Sequence, residues 1–276
     1  MNTSIDSDER YIEVEPGVKL HITDKGRGKA LVLIPGLPLS DLIFKYTYDM
    51  LAENGYRAIG ITLRGFGQFE SPDNYDVELH ARDINKILRI LRLEEVVLCG
   101  YSFGGVIAAY YLSRYRPSRV SKLALISSNV PLYIRHGDYP YGLSVNELNR
   151  LIKSFEKDQG SIEDVFGPIL QPSKEAGKSQ ADHWLNNILP ETAEKGFKQR
   201  PGLLREIELR PLLSSIDIPT LIMHSKDDSV IPFTIAEQAH EWISNSQLVV
   251  FETGGQWYFL LAYERFNAEL LQFAKQ

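Results

Sequence analysis

The residues with the clearest chemical potential are Gly100-Tyr101-Ser102-Phe103-Gly104-Gly105. They follow an apolar run, Val96-Val-Leu-Cys-Gly100, and precede a helix-forming run, Val106-Ile-Ala-Ala-Tyr-Tyr-Leu. G-x-S-x-G between a strand and a helix is the pattern of a nucleophile elbow. The tight turn lifts the Ser102 hydroxyl above a sheet edge, and glycines beside it let the backbone close. A chance Gly-rich turn would share the letters. The flanking strand and helix, and the added Gly105, argue for the elbow.

A serine nucleophile needs two backbone amides to hold the oxyanion it creates. One is Phe103, the residue after the serine. The other is expected in the loop after Ile34, at Pro35-Gly36-Leu37-Pro38. Leu37 is the expected donor, because neither proline has an N–H. An acid should follow the elbow in chain order. The run Thr220-Leu-Ile-Met-His-Ser225 leads into Lys226-Asp227-Asp228-Ser-Val-Ile-Pro232, and either carboxylate could orient a base.

The elements that must position these residues alternate. Strand-like runs are expected at 11–15, 18–24, 30–34, 57–62, 96–100, 123–127, 220–225 and 247–252. The middle runs are almost wholly apolar, as suits parallel strands covered on both faces. Pro16-Gly17 reads as the turn of a hairpin. Helical patterns are expected at 41–54, 77–93, 103–115, 233–244 and 258–274. Such alternation predicts an α/β fold with right-handed crossovers. Between 128 and 218 no strand stands out, and helical patterns fall at 145–158, 161–170 and 180–189. The expected organisation is a core, 1–130 and 211–276, with a helical cap at 131–210, a stretch too long for a plain connection.

Composition narrows the function. The 276 residues are 43% hydrophobic and 24% charged, which is ordinary for a globular protein. No apolar run reaches the ~18 residues of a membrane-crossing helix. The first ten residues are polar and acidic, so no secretory signal is expected and a cytoplasmic location is. Cys99 is the only cysteine, which excludes an internal disulfide and a thiolate-rich metal site. A net charge of −6 argues against a nucleic-acid-binding face. The expected partner is a small-molecule substrate, with no metal and no organic cofactor. Oligomeric state is not legible.

The sequence resembles the α/β-hydrolase superfamily, and within it the non-heme chloroperoxidase (perhydrolase) and esterase group, over nearly the whole chain. The elbow matches at Gly100, Ser102, Gly104 and Gly105. The group carries His-Gly-Trp-Pro where this chain has Pro35-Gly36-Leu37-Pro38. It carries Asp-x-Arg-Gly-x-Gly-x-Ser where this chain has Thr62-Leu-Arg64-Gly65-Phe-Gly67-Gln-Phe69. The resemblance implies an α/β-hydrolase fold: a mostly parallel eight-stranded sheet flanked by helices, with a cap. It places the acid four residues before a proline, which selects Asp228.

The resemblance also places a histidine in a Gly-His-aromatic segment after the last strand. Here that segment is Thr253-Gly254-Gly255-Gln256-Trp257-Tyr258, and the base position holds Gln256. A carboxamide forms hydrogen bonds but does not take up a proton near neutral pH. Of the six histidines, His21, His80, His224 and His240 fall in expected strands or helices and read as structural or surface groups. His136 and His183 belong to the expected cap and are candidates to face Ser102. Tyr101, Tyr139 and Trp257 are candidate substrate-pocket residues with them. Two histories give this sequence: a laboratory substitution that traps substrate in a working hydrolase, or natural abandonment of triad chemistry. The departures at 35, 37, 62 and 69 lean toward the second.

Three readings follow. One is a cofactor-free serine hydrolase of esterase or perhydrolase type, with Ser102, Asp228 and a base replaced by Gln256. Another is a non-hydrolytic lyase or cyclase on the same fold. The third is a retired, ligand-binding pseudoenzyme.

Overall fold

The computed structural model describes residues 7–37, 39–66, 76–115, 118–132, 134–135, 137–156 and 208–276. Among these, eight strands form one sheet: β1 (Ser7–Glu15), β2 (Val18–Gly26), β3 (Ala30–Ile34), β4 (Arg57–Ile61), β5 (Val96–Tyr101), β6 (Val120–Ile126), β7 (Thr220–Ser225) and β8 (Ser246–Phe251). Their order is β1-β2-β4-β3-β5-β6-β7-β8. β1 and β2 pair antiparallel around the Pro16-Gly17 turn, and β2 joins β4 antiparallel. All pairs from β4–β3 to β7–β8 are parallel. This is the mostly parallel eight-stranded sheet flanked by helices that the resemblance implies.

Pleating explains the apolar runs. Leu31 and Leu33 face one side of the sheet, and Val32 and Ile34 face the other. In β5, Val97 and Cys99 share the first side, and Val96 and Leu98 the second. The first side is covered by α1 (Lys45–Glu53) and by the C-terminal helix, through Tyr48, Leu51, Phe266, Leu270 and Phe273. The second is covered by α2 (Val77–Ile90) and α3 (Phe103–Tyr115). α2 buries Ala81, Ile84, Ile87 and Leu88 at helical spacing, and the Asp76 side chain caps it by accepting from the Leu79 amide at 2.7 Å. The later helices are α4 (Val145–Glu156), α5 (Arg210–Leu213), α6 (Phe233–Trp242), α7 (Tyr258–Leu261) and α8 (Tyr263–Lys275).

Two expected helices are subdivided. The 41–54 segment begins as a 3₁₀ turn, Asp41–Phe44, before α1. The 258–274 segment breaks at Ala262 into α7 and α8. The break lets Phe259 pack on Phe44 and Tyr101 while also meeting Phe266 of the next helix. Within 131–210, an isolated bridge joins Leu132 to Glu208 and another joins Ile134 to Leu143. Ser144 and Glu147 cap α4 reciprocally, each side chain bonding the other's amide. The expected helices at 161–170 and 180–189 lie outside the described residues.

Beyond β4 the chain is fixed by Arg64. Its buried guanidinium makes two bonds to Asp83 of α2, at 2.6 and 2.7 Å, and one to Glu15 of β1, at 3.2 Å. Breaking this pair strands a buried cation. Asp83→Ala should cost about 3 kcal/mol or more in urea unfolding. A loss below ~1 kcal/mol would show that Arg64 finds water or another anion.

His80 of α2 is fully buried and packs edge-on against Phe103 at 6.0 Å. Burial, with Arg64 nearby, pushes its imidazole down to about 3. The unfolded chain takes up this proton below about pH 6.5 and the folded chain does not, so stability falls as pH drops from there toward 3. The slope from this one group is up to ~1.4 kcal/mol per pH unit. His80→Gln should flatten the stability profile between pH 6.5 and 4, and an unchanged slope would contradict this.

Candidate functional site

The site forms where the parallel strands end, as open α/β sheets place their ligands. Ser102 follows β5 directly and adopts φ 51°, a left-handed conformation that costs a non-glycine residue about 1–3 kcal/mol. Three bonds hold it there. Its amide donates to Ile126 O at 2.9 Å, its carbonyl accepts from the Gly105 amide at 3.0 Å, and the Ser128 hydroxyl donates to the same carbonyl at 3.1 Å. The turn closes only because two neighbours lack side chains. A Cβ on Gly104 would lie 2.2 Å from Ile34 O, and one on Gly36 would lie 2.7 Å from the Ser102 Cβ. The loop after β3 therefore runs directly against the serine.

Phe103 begins α3, and Leu37 lies one residue beyond Gly36. Among the described residues, no backbone carbonyl takes the amide of either one. An amide without a carbonyl partner can receive an oxygen from a bound molecule.

Asp228 sits in the loop after β7 and is 6% exposed. Its Oδ1 accepts from the Val230 and Ile231 amides, at 2.9 and 2.8 Å. Gln256 occupies the 3₁₀ turn Gly255–Trp257 after β8 and is also 6% exposed. Its carboxamide finds complementary partners at both ends in one orientation only. The nitrogen donates to Asp228 Oδ2 at 2.6 Å and Oδ1 at 3.1 Å, and the oxygen accepts from the Tyr101 hydroxyl at 3.3 Å. That hydroxyl also lies 3.2 Å from the Gln256 backbone carbonyl. Burial, with the Asp228 charge adding to it, raises the Tyr101 phenol well above its ordinary range, so it stays a neutral donor.

The neighbouring Asp227 has a different task. It accepts from the Ser225 hydroxyl at 2.6 Å and from the Gly255 and Gly254 amides at 2.7 and 3.2 Å. Burial pushes its pKa up, but these bonds outweigh it and lower the carboxyl below its usual range. Asp227 thus ties the end of β7 to the turn that carries Gln256, and Asp228 meets Gln256 itself.

The remaining expected residues separate. Tyr101 is buried against Trp257 and Phe259, with centroids at 5.9 and 4.6 Å. Tyr139 packs on Tyr141 at 5.2 Å, with the Arg210 guanidinium 5.3 Å over its ring. His136 and His183 lie outside the described residues.

Two residues escape the sequence reading. Asn129, 3% exposed, accepts the Ser102 hydroxyl at the long distance of 3.5 Å. Its signal is positional: it follows β6, the neighbour of β5, at the same sheet edge. His224, fully buried in β7, donates from Nε2 to Ile231 O at 2.8 Å, and the same nitrogen lies 3.3 Å from Asp228 Oδ2. Asp228 thus accepts from the Val230 and Ile231 amides and the Gln256 carboxamide, with the His224 ring beside it. Among those residues, no group of three or more His, Cys, Asp or Glu side chains is placed to hold a metal ion. No described helix is long and apolar enough to cross a membrane.

Comparison with known proteins places the fold. A solved esterase, EaEST from Exiguobacterium antarcticum, superposes with a TM-score of 0.90 at 37% identity, over 96% of this chain and 99% of that one. The AB hydrolase superfamily protein YisY of Bacillus subtilis is 32% identical over 96% of this chain and 98% of its own length. A non-heme haloperoxidase of Rhodococcus erythropolis is 26% identical over 95% and 98%. The family model for the alpha/beta hydrolase fold matches residues 29–263, and the chain belongs to that family.

Proposed function

We propose that this chain is a cofactor-free serine hydrolase of carboxylic esters in which every part of the acyl-transfer site is assembled except the base. Ser102 Oγ would attack the ester carbonyl carbon. The Leu37 and Phe103 amides would receive the oxyanion, and the alkoxide would leave as the alcohol. Water would then release the acid from the acyl-serine. The segment 131–210 would cap the pocket and shape the substrate it admits.

The observation that carries this reading is the contact of Gln256 with Asp228. The carboxamide nitrogen donates to the acid at 2.6 Å, as the N–H of a catalytic imidazole would. The acid is thus still held for a partner. The other end of the carboxamide accepts from Tyr101 and has no appreciable basicity. Loss of a triad base costs roughly 10⁶ in kcat in the well-studied subtilisin case. Slow turnover is expected of the chain as it stands. The esterase and perhydrolase names of its relatives favour an acyl substrate.

The Ser102–Asn129 contact supports a second reading, a non-hydrolytic enzyme acting on a carbonyl compound. In that case Ser102 would serve as a hydrogen-bonding group and not as a nucleophile. The two readings separate in one experiment. Gln256→His should raise p-nitrophenyl acetate turnover at least ~10³-fold. Adding Asp228→Asn should remove most of that gain. If Gln256→His folds but gives no gain, the hydrolase reading fails, and the non-hydrolytic and ligand-binding readings are left.

A further inference from the structure

Behind the loop that carries Leu37 lies a cluster that the triad reading does not use. Asp41 is fully buried, yet its carboxylate has no lysine or arginine against it among the contacts of the described residues. Its donors are His21 Nδ1 of β2 at 3.1 Å, the Tyr48 hydroxyl of α1 at 2.8 Å, and the Thr62 hydroxyl just beyond β4. Its backbone is held as well. The Asp41 amide donates to Thr62 Oγ1 at 3.1 Å, and the Tyr48 hydroxyl also reaches Asp41 O at 2.8 Å. One side chain thus joins three elements to the start of the fourth. Burial works to raise its pKa, but the hydrogen bonds and the nearby His21 outweigh it and keep the carboxyl below its usual range.

A buried anion is costly unless several donors converge on it, and charged hydrogen bonds are shorter and stiffer than neutral ones. Its place in the chain gives this stiffness a use. The loop leaves β3 at Ile34, presses Gly36 against Ser102, closes with the Leu39 amide on Gly36 O at 2.8 Å, and ends at Asp41. Leu37 stands between those two fixed points. An oxyanion donor must sit within a few tenths of an ångström of its acceptor position to be effective.

We propose that Asp41 is a positioning residue for the reaction: its carboxylate, held by His21, Tyr48 and Thr62, fixes the 35–40 loop so that the Leu37 amide meets the substrate oxyanion. This rests on the reading of Leu37 given above. It also gives Thr62 a role. The hydroxyl at position 62 donates to a carboxylate supplied from position 41, so the departure there does not leave the loop unbraced.

The test uses two backgrounds. In the Gln256→His chain, Asp41→Ala should lower kcat ~10-fold or more while KM stays within ~3-fold, because the lost interaction belongs to the transition state. Asp41→Asn, which keeps the shape without the charge, should fall between. Thr62 Oγ1 already accepts from the amide of residue 41 and touches its carboxylate, so a carboxylate at 62 lies against the same loop amide and beside the space that Asp41→Ala opens. Asp41→Ala with Thr62→Asp should therefore recover most of the lost kcat. Unchanged kcat, or a loss that the second substitution does not restore, overturns the proposal. In the unaltered Gln256 chain, hydrogen exchange of peptides covering residues 35–41 should quicken in Asp41→Ala and slow again in the double variant. This second measurement holds even if Gln256→His gains no turnover. Exchange that does not change overturns the brace itself.

Discussion

The site depends on one backbone conformation that is unfavourable by itself. Ser102 at φ 51° is tolerated because its amide and carbonyl are both bonded and because glycines at 36 and 104 let the loop after β3 lie close against it and against the start of α3. That bend sets several things together. It exposes the hydroxyl beyond the sheet edge, starts α3 at Phe103, and brings the Gly36 loop within contact distance. On the proposed reading, nucleophile and donor amides are therefore one geometric unit, and the loop ends that fix the bend bear on all of them.

The acid side is organised differently. Asp227 and Asp228 are adjacent in sequence but divide the work: one braces the turn after β8, and the other receives what that turn presents. Glutamine fits at 256 because its carboxamide nitrogen reproduces the hydrogen bond an imidazole would give the acid. The difference lies at the other end, where an imidazole offers a basic nitrogen and the carboxamide offers an oxygen already engaged by Tyr101. On this account the substitution removes proton transfer and leaves the surrounding geometry intact.

Much of the scaffold was legible in the sequence because each element announces its own environment. The apolar runs at β3 and β5 mark strands covered on both faces, and the elbow letters between β5 and α3 mark the bend. The resemblance supplied the choice of Asp228 over Asp227, which composition and spacing leave open. What stayed hidden was tertiary. Asn129 and His224 reach the site only because β6 and β7 end at the same sheet edge as β5, and nothing local marks them. Asp41 reads as the first residue of a helix and does begin the 3₁₀ turn, but nothing local marks it as buried and tied to residues twenty or more positions away. Thr62 shows the related hazard. Judged alone it departs from the family pattern, yet its hydroxyl serves a carboxylate that arrives from another element.

The central claim is that only the base is missing. Its most direct test is covalent labelling of Ser102 by a fluorophosphonate, followed by intact mass in the native and Gln256→His chains. The account predicts a single adduct on Ser102 that forms far faster in the histidine form. Its rate should rise with pH through one ionisation near the ordinary imidazole value of about 6.5. Equal labelling of the two chains, or an adduct at any other residue, would contradict it.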